Sequence, residues 1–119
     1  MSVVYRKGAD LIVQSFNGTQ IGLFDVNKNE LSGGGYSRQT FPGFVFVNED
    51  ANYFYYVNSN TILFPVATSN WVDVYYIGLF SDGQLALLVS LPNPATIRAG
   101  QQLIFFAGMI EIRIPKQMA

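Results

Sequence analysis

The chain of 119 residues contains neither cysteine nor histidine. Without histidine there is no Ser-His-Asp triad, no Cys-His pair and no ordinary nitrogen- or sulfur-ligated zinc site. Acid–base chemistry would fall to carboxylates, lysines and tyrosines. Without cysteine there is no disulfide framework, and no compositional clue to the redox compartment. Charge is scarce as well: 13% of residues are Asp, Glu, Lys or Arg, against about 25% in a typical soluble domain. The seven basic residues, Arg6, Lys7, Lys28, Arg38, Arg98, Arg113 and Lys116, are scattered, and the net charge is −1. That distribution argues against a nucleic-acid partner. No apolar run reaches the roughly 18 residues of a membrane helix. Met1-Ser2-Val3-Val4-Tyr5-Arg6-Lys7 lacks the apolar region of a signal peptide, so an exported outer-membrane barrel is not expected either.

Half of the residues are hydrophobic. A surface this poor in ions is expected to be covered, and with a bilayer disfavoured the cover is protein: an obligate oligomer or an assembly subunit. The length suits one domain, residues 1–119, burying roughly two-thirds of its unfolded surface without disulfide or metal.

Short runs rich in Val, Ile, Phe and Tyr, broken by Gly, Pro, Asn and Asp, predict an antiparallel β-sandwich of immunoglobulin-like or jelly-roll type with about seven to nine strands and no helix. The segments from which these strands are drawn include Leu11–Phe16, Gln20–Phe24, Tyr36–Phe41, Gly43–Val47, Asn52–Val57, Thr61–Phe64, Trp71–Phe80, Gln84–Leu91 and Leu103–Phe106. A last strand carries Ile110, Ile112 and Ile114 on one face and Glu111 and Arg113 on the other. Asp82-Gly83 marks a hairpin, and Pro92-Asn93-Pro94 should end its second strand. Ile21-Gly22-Leu23-Phe24-Asp25 is echoed by Ile77-Gly78-Leu79-Phe80-Ser81-Asp82, so each copy is expected to close a core strand at the same edge of the sandwich.

Three segments invite a chemical reading. Ser32-Gly33-Gly34-Gly35-Tyr36 has the glycines of an anion cradle but lacks the Lys-Ser/Thr and the helix that should follow, so a tight turn requiring positive φ is expected instead. Asp25-Val26-Asn27-Lys28-Asn29-Glu30 begins like a calcium loop, yet Glu30 stands where glycine is needed and Tyr36 where the bidentate acid belongs. An ordinary polar turn is expected there. Glu49, Asp50, Asp73 and Glu111 show no pairing suited to hydrolysis, so no catalytic, cofactor or metal site is assigned and no enzyme is expected. The aromatic runs are more informative. Tyr53, Phe54, Tyr55 and Tyr56 place rings on both faces of one strand, as do Tyr75 and Tyr76 on another, whereas only one face can be core. The outward tyrosines fit a protein interface, with a sugar platform as the competing use.

Several ordered motifs resemble those of small bacteriophage virion proteins. Asn29-Glu30-Leu31-Ser32-Gly33-Gly34-Gly35-Tyr36-Ser37-Arg38-Gln39 is similar to their E-[VL]-S-G-G-G-Y-x-R-Q stretch, and Phe64-Pro65-Val66-Ala67-Thr68-Ser69-Asn70-Trp71 to F-P-x-A-T-x-x-W. Ile77–Phe80, Pro94–Gly100 and Phe106–Ile112 follow in the family's order. The resemblance covers about residues 21–114, with an unusually aromatic Asn48–Asn60 segment and an apolar stretch after Trp71 as departures. It implies a structural module of the particle, of the tail-fibre or head-associated kind. Within it, Arg38 is expected to fix the glycine loop by bonding backbone carbonyls, Glu30 or Asp73, and Trp71 to anchor the core.

Taken together, the expectation is a cement or decoration protein on the virion surface. It would bind the major capsid protein and copies of itself, with a trimer as one arrangement and residues 1–7 as an N-terminal arm. A tail, baseplate or fibre component is the second reading. A carbohydrate-binding module using Tyr53, Tyr55 and Tyr75 is the third.

Overall fold

The computed structural model describes residues 2–118; Met1 and Ala119, the ends of the expected domain, lie outside them. Alternating apolar side chains and frequent turns produce two main antiparallel sheets. In the first, β3 (Gln39–Thr40), β2 (Gln20–Phe24), β7 (Val74–Ser81) and β8 (Gln84–Ala95) lie side by side in that order; in the second, β10 (Glu111–Pro115), β5 (Tyr53–Asn58) and β4 (Phe44–Glu49) do. Two short pairs complete the all-β sandwich: β1 (Ser2–Val3) with β11 (Gln117–Met118), and β6 (Ile62–Leu63) with β9 (Ile104–Phe105). Ile21, Leu23, Ile77 and Leu79 project from the first sheet and Phe54 and Tyr56 from the second into one cluster, which Phe41, Phe44 and Phe64 fill.

A helix, α1 (Arg6–Gln14), overturns the expected strand over Leu11–Phe16 and the expectation of a helix-free chain. The Leu11-Ile12-Val13 run suits a strand by residue type, but the buried positions are Ala9, Val13 and Phe16, spaced as one helical face. Leu11 and Ile12 stay exposed. Arg6 and Asp10 form an i,i+4 ion pair at 2.9 Å. The Tyr56 hydroxyl donates to Asp10 Oδ1 at 2.6 Å, so the helix is held to β5 by a side chain far away in sequence. Residues 2–7, expected as an arm, form β1 and the opening of α1, and Val4 N–H donates to Lys116 O at 2.7 Å.

Three further expectations change in detail. Of Tyr36–Phe41 only Gln39–Thr40 pairs with β2, because Tyr36 N–H closes a turn onto Gly33 O and the chain meets β2 only afterwards. Strand β8 runs through Pro92-Asn93-Pro94 instead of ending there. Its pairing with β7 jumps from Tyr76↔Ser90 to Val74↔Ala95, so the prolines sit in a bulge on an edge strand, where the missing N–H costs no ladder bond. The two echo segments do not close the same edge. They pair antiparallel with each other, Ile21↔Leu79, Gly22↔Gly78 and Leu23↔Ile77, which sends Asp25 and Asp82 to opposite ends. The Asp82-Gly83 hairpin has positive φ at both residues, 52° and 76°, as a type I′ turn requires.

Candidate functional site

Gly33, Gly34 and Gly35 all adopt left-handed φ, at 72°, 61° and 83°. This winding lays the loop against the Phe64–Trp71 segment: Trp71 Nε1–H donates to Gly34 O at 2.8 Å and Thr68 N–H donates to the same oxygen at 2.9 Å. A Cβ on Gly34 would lie 2.9 Å from Trp71 Cδ1, so the indole occupies the room a side chain would need. The Tyr36 ring meets Trp71 edge-on at 5.8 Å and stacks on Phe64 at 6.4 Å. The glycine run and the lone tryptophan are thereby parts of one joint.

Beyond that joint, Arg38 grips Glu30 with two bonds, Nε to Oε2 at 2.9 Å and Nη2 to Oε1 at 2.8 Å. Tyr36 donates its hydroxyl to Glu30 Oε2 at 2.6 Å and accepts from Leu23 N–H at 3.0 Å. The Arg38 bond holds the Glu30 carboxyl below its ordinary range against the opposing effect of burial, and burial pushes the Tyr36 hydroxyl up, with Glu30 adding to the rise. The other acid open to Arg38, Asp73, instead accepts from Thr96 Oγ1 at 3.0 Å.

The guanidinium of Arg38 also lies 3.7 Å from the centre of the Phe80 ring. Phe80 in turn packs over Gly22, where a Cβ would stand 3.1 Å from its Cε2, and Phe24 covers Gly78, where a Cβ would overlap Phe24 Cε1. Each copy of the echoed segment thus supplies the ring that covers the other copy's glycine. Phe24 and Phe80 stack at 6.1 Å and are both buried, so the β2–β7 pair is covered on both faces.

On β5 the side chains alternate. Phe54 and Tyr56 face the core, while Tyr53 and Tyr55 stand half-buried on the opposite face, 6.2 Å apart, with Arg113 over the Tyr53 ring at 4.7 Å. Tyr55 donates to Asp50, whose other oxygen accepts from the amides of Asn52 and Tyr53. Tyr75 and Tyr76 are half-buried at the bulge of β7, in the other sheet, so Tyr75 does not join Tyr53 and Tyr55 on one sheet face.

Two further polar candidates have structural partners. Asp25 Oδ1 accepts from the amides of Asn27 and Asn29, closing the polar turn, and Glu49 pairs with Lys116 at 2.7 Å. A residue the sequence reasoning missed is Asn58, only 1% exposed. It donates from Nδ2 to Asn60 O and Phe106 O and accepts from Ile110 N–H at 2.8 Å, fastening the turn before β10 to β5. Only its place at the end of an alternating strand, on the inward parity, could have marked it.

The sandwich is open along one side. There β8 ends the first sheet and β10 ends the second, and a cavity of about 550 Å³ opens between them beside β9. Leu91, Ala95, Leu103, Met109 and Ile110 line it; a second cleft continues along Leu87–Ser90 and Glu111–Ile114. Met109, which lines the cavity, is 58% exposed. An apolar rim of this kind, on a chain so short of charge, suits the class of structural modules that pack against other proteins.

The comparison with protein families names the class more closely. Residues 12–113 match the family described as Podophage GP4 fiber I protein gp80, and the chain belongs to that family. It is accordingly a bacteriophage virion structural protein of a fibre family, located in the virion particle and associated with other virion proteins; the family is not known as an enzyme. No curated protein and no solved structure shows a significant match.

Proposed function

We propose that the chain is a building unit of a tail-associated fibre, and that it binds neighbouring fibre or tail proteins through the open β8–β10 rim and the Tyr53–Tyr55 face. The observation that carries this reading is the match to a fibre family over residues 12–113. It moves the second expectation ahead of the capsid-cement role, whose grounds, scarce charge and a resemblance to tail-fibre and head-associated proteins alike, a fibre subunit shares. The apolar rim supports an assembly function at either station. The tyrosines give no comparable support to a sugar platform, because Tyr75 belongs to a different sheet from Tyr53 and Tyr55. The unit is one β-sandwich domain, with residues 2–7 folded onto it through β1 and the start of α1. Immunogold labelling of purified particles tests the placement. Gold on the fibres supports it, whereas gold spread evenly over the head returns the chain to the capsid lattice.

A further inference from the structure

We infer that the free edge of β10 is a seam between two copies of this chain, paired antiparallel about a twofold axis through Ile112. The inference rests on the assembly reading only in requiring a protein partner, and holds wherever in the particle the chain resides.

Asn58 N–H donates to Ile110 O at 3.1 Å and Lys116 N–H donates to Asn52 O at 2.8 Å. These contacts flank the register Ile112↔Tyr56 and Ile114↔Phe54, so even-numbered residues of β10 turn their amides and carbonyls toward β5. Glu111 and Arg113 therefore turn theirs away from β5, toward the unpaired edge. Pro115 has no N–H to offer there and stops the pairing.

The side chains decide which partner this short edge fits. Glu111 and Arg113 share the outer face of the strand, opposite Val57 and Tyr55, and both are exposed. Among the described residues neither takes part in an ion pair. An antiparallel copy centred on Ile112 sets Glu111 of one chain against Arg113 of the other, and Arg113 against Glu111. Each of these pairs exchanges both N–H···O=C bonds and brings opposite charges together on one face. The same edge cannot match β8 of another copy in this way, because Gln84–Ala95 carries no charge. Pairing also covers half-buried Ile112 and Ile114 beside the Leu87 and Val89 side of the cleft. Charge at a sheet edge otherwise serves to repel pairing; two residues of opposite sign in self-complementary order do the reverse.

Sedimentation of the isolated chain over a range of concentrations reads the seam directly. Wild type is expected to form dimers. Glu111→Arg sets arginine against arginine and Arg113→Glu sets glutamate against glutamate, so each should weaken association at least about tenfold. The double variant E111R/R113E restores the complement and should dimerise like wild type, and an equal mixture of the two single variants should form mixed dimers. The amides of Glu111 and Arg113 should gain exchange protection on dimerisation. Should either single variant fold poorly, the exchange protection of the Glu111 and Arg113 amides in the wild-type dimer still decides, and its absence overturns the inference. A wild type that stays monomeric, a closed trimer, or a dimer indifferent to the swaps overturns the inference. The fibre placement is unaffected by any of these results, since immunogold labelling tests it separately.

Discussion

Asn58, Glu30 and the glycines of the two joints each perform a task no neighbouring residue can take over. Replacing Asn58 with leucine leaves the buried Ile110 N–H without its partner, and burying such a group unpaired costs about 1–3 kcal/mol. Urea unfolding of Asn58→Leu should show a loss of about that size, with near-native values excluding a role for the staple. Glu30 makes acid stability testable. Its carboxyl titrates lower in the folded chain than in the unfolded one, so it stabilises the fold above the ordinary value of 4.5, and that contribution is lost as pH falls through the folded value. Glu30→Gln should therefore flatten the decline in unfolding midpoint between about pH 6 and pH 3. An equally steep decline would remove Glu30 from the account. Gly34→Ala combines a φ of 61° with a Cβ 2.9 Å from Trp71, and should destabilise by at least about 1 kcal/mol in the same assay. The need for glycine at 33–35 was legible in the run itself. That an indole fills the space over Gly34 was not, because sequence order says nothing of which distant ring lands there.

At the level of elements, alternation and turn chemistry made most of the strands readable. The Asp82-Gly83 hairpin and the inward parity of Ile110, Ile112 and Ile114 follow from local signals that tertiary contacts do not oppose. Helix α1 was unreadable for a physical reason: three large aliphatic residues in a row satisfy a strand template, and the contacts that select the helix lie outside the segment. Tyr56, 1% exposed, supplies one of them through Asp10, and the charge on Arg6 rests on the Phe46 ring at 3.5 Å. Tyr56→Phe keeps the ring and removes the bond, which should cost about 1.5 kcal/mol and speed amide exchange across α1. Unchanged exchange there would show that apolar packing alone holds the helix. The prolines of β8 misled in the opposite sense. They do break a central strand, but β8 lies at an edge, and edge position is a property of the sheet that no local window contains.

For the molecule as a whole, the composition predicts a surface that other proteins cover, and the fold offers a place suited to it: a sandwich left open between β8 and β10, with apolar side chains along the cavity and a complementary charge pair on the β10 edge. The station in the particle was less legible. Scarce charge and outward tyrosines fit a shell lattice and a fibre equally, and the family match is what favours the fibre. The sharpest measurement is a cryo-electron microscopy reconstruction of the intact particle at a resolution that traces strands. The account predicts this β-sandwich within the fibre, with protein density filling the β8–β10 rim. A sandwich found in the head lattice, or one in the fibre whose rim faces open solvent, would contradict it.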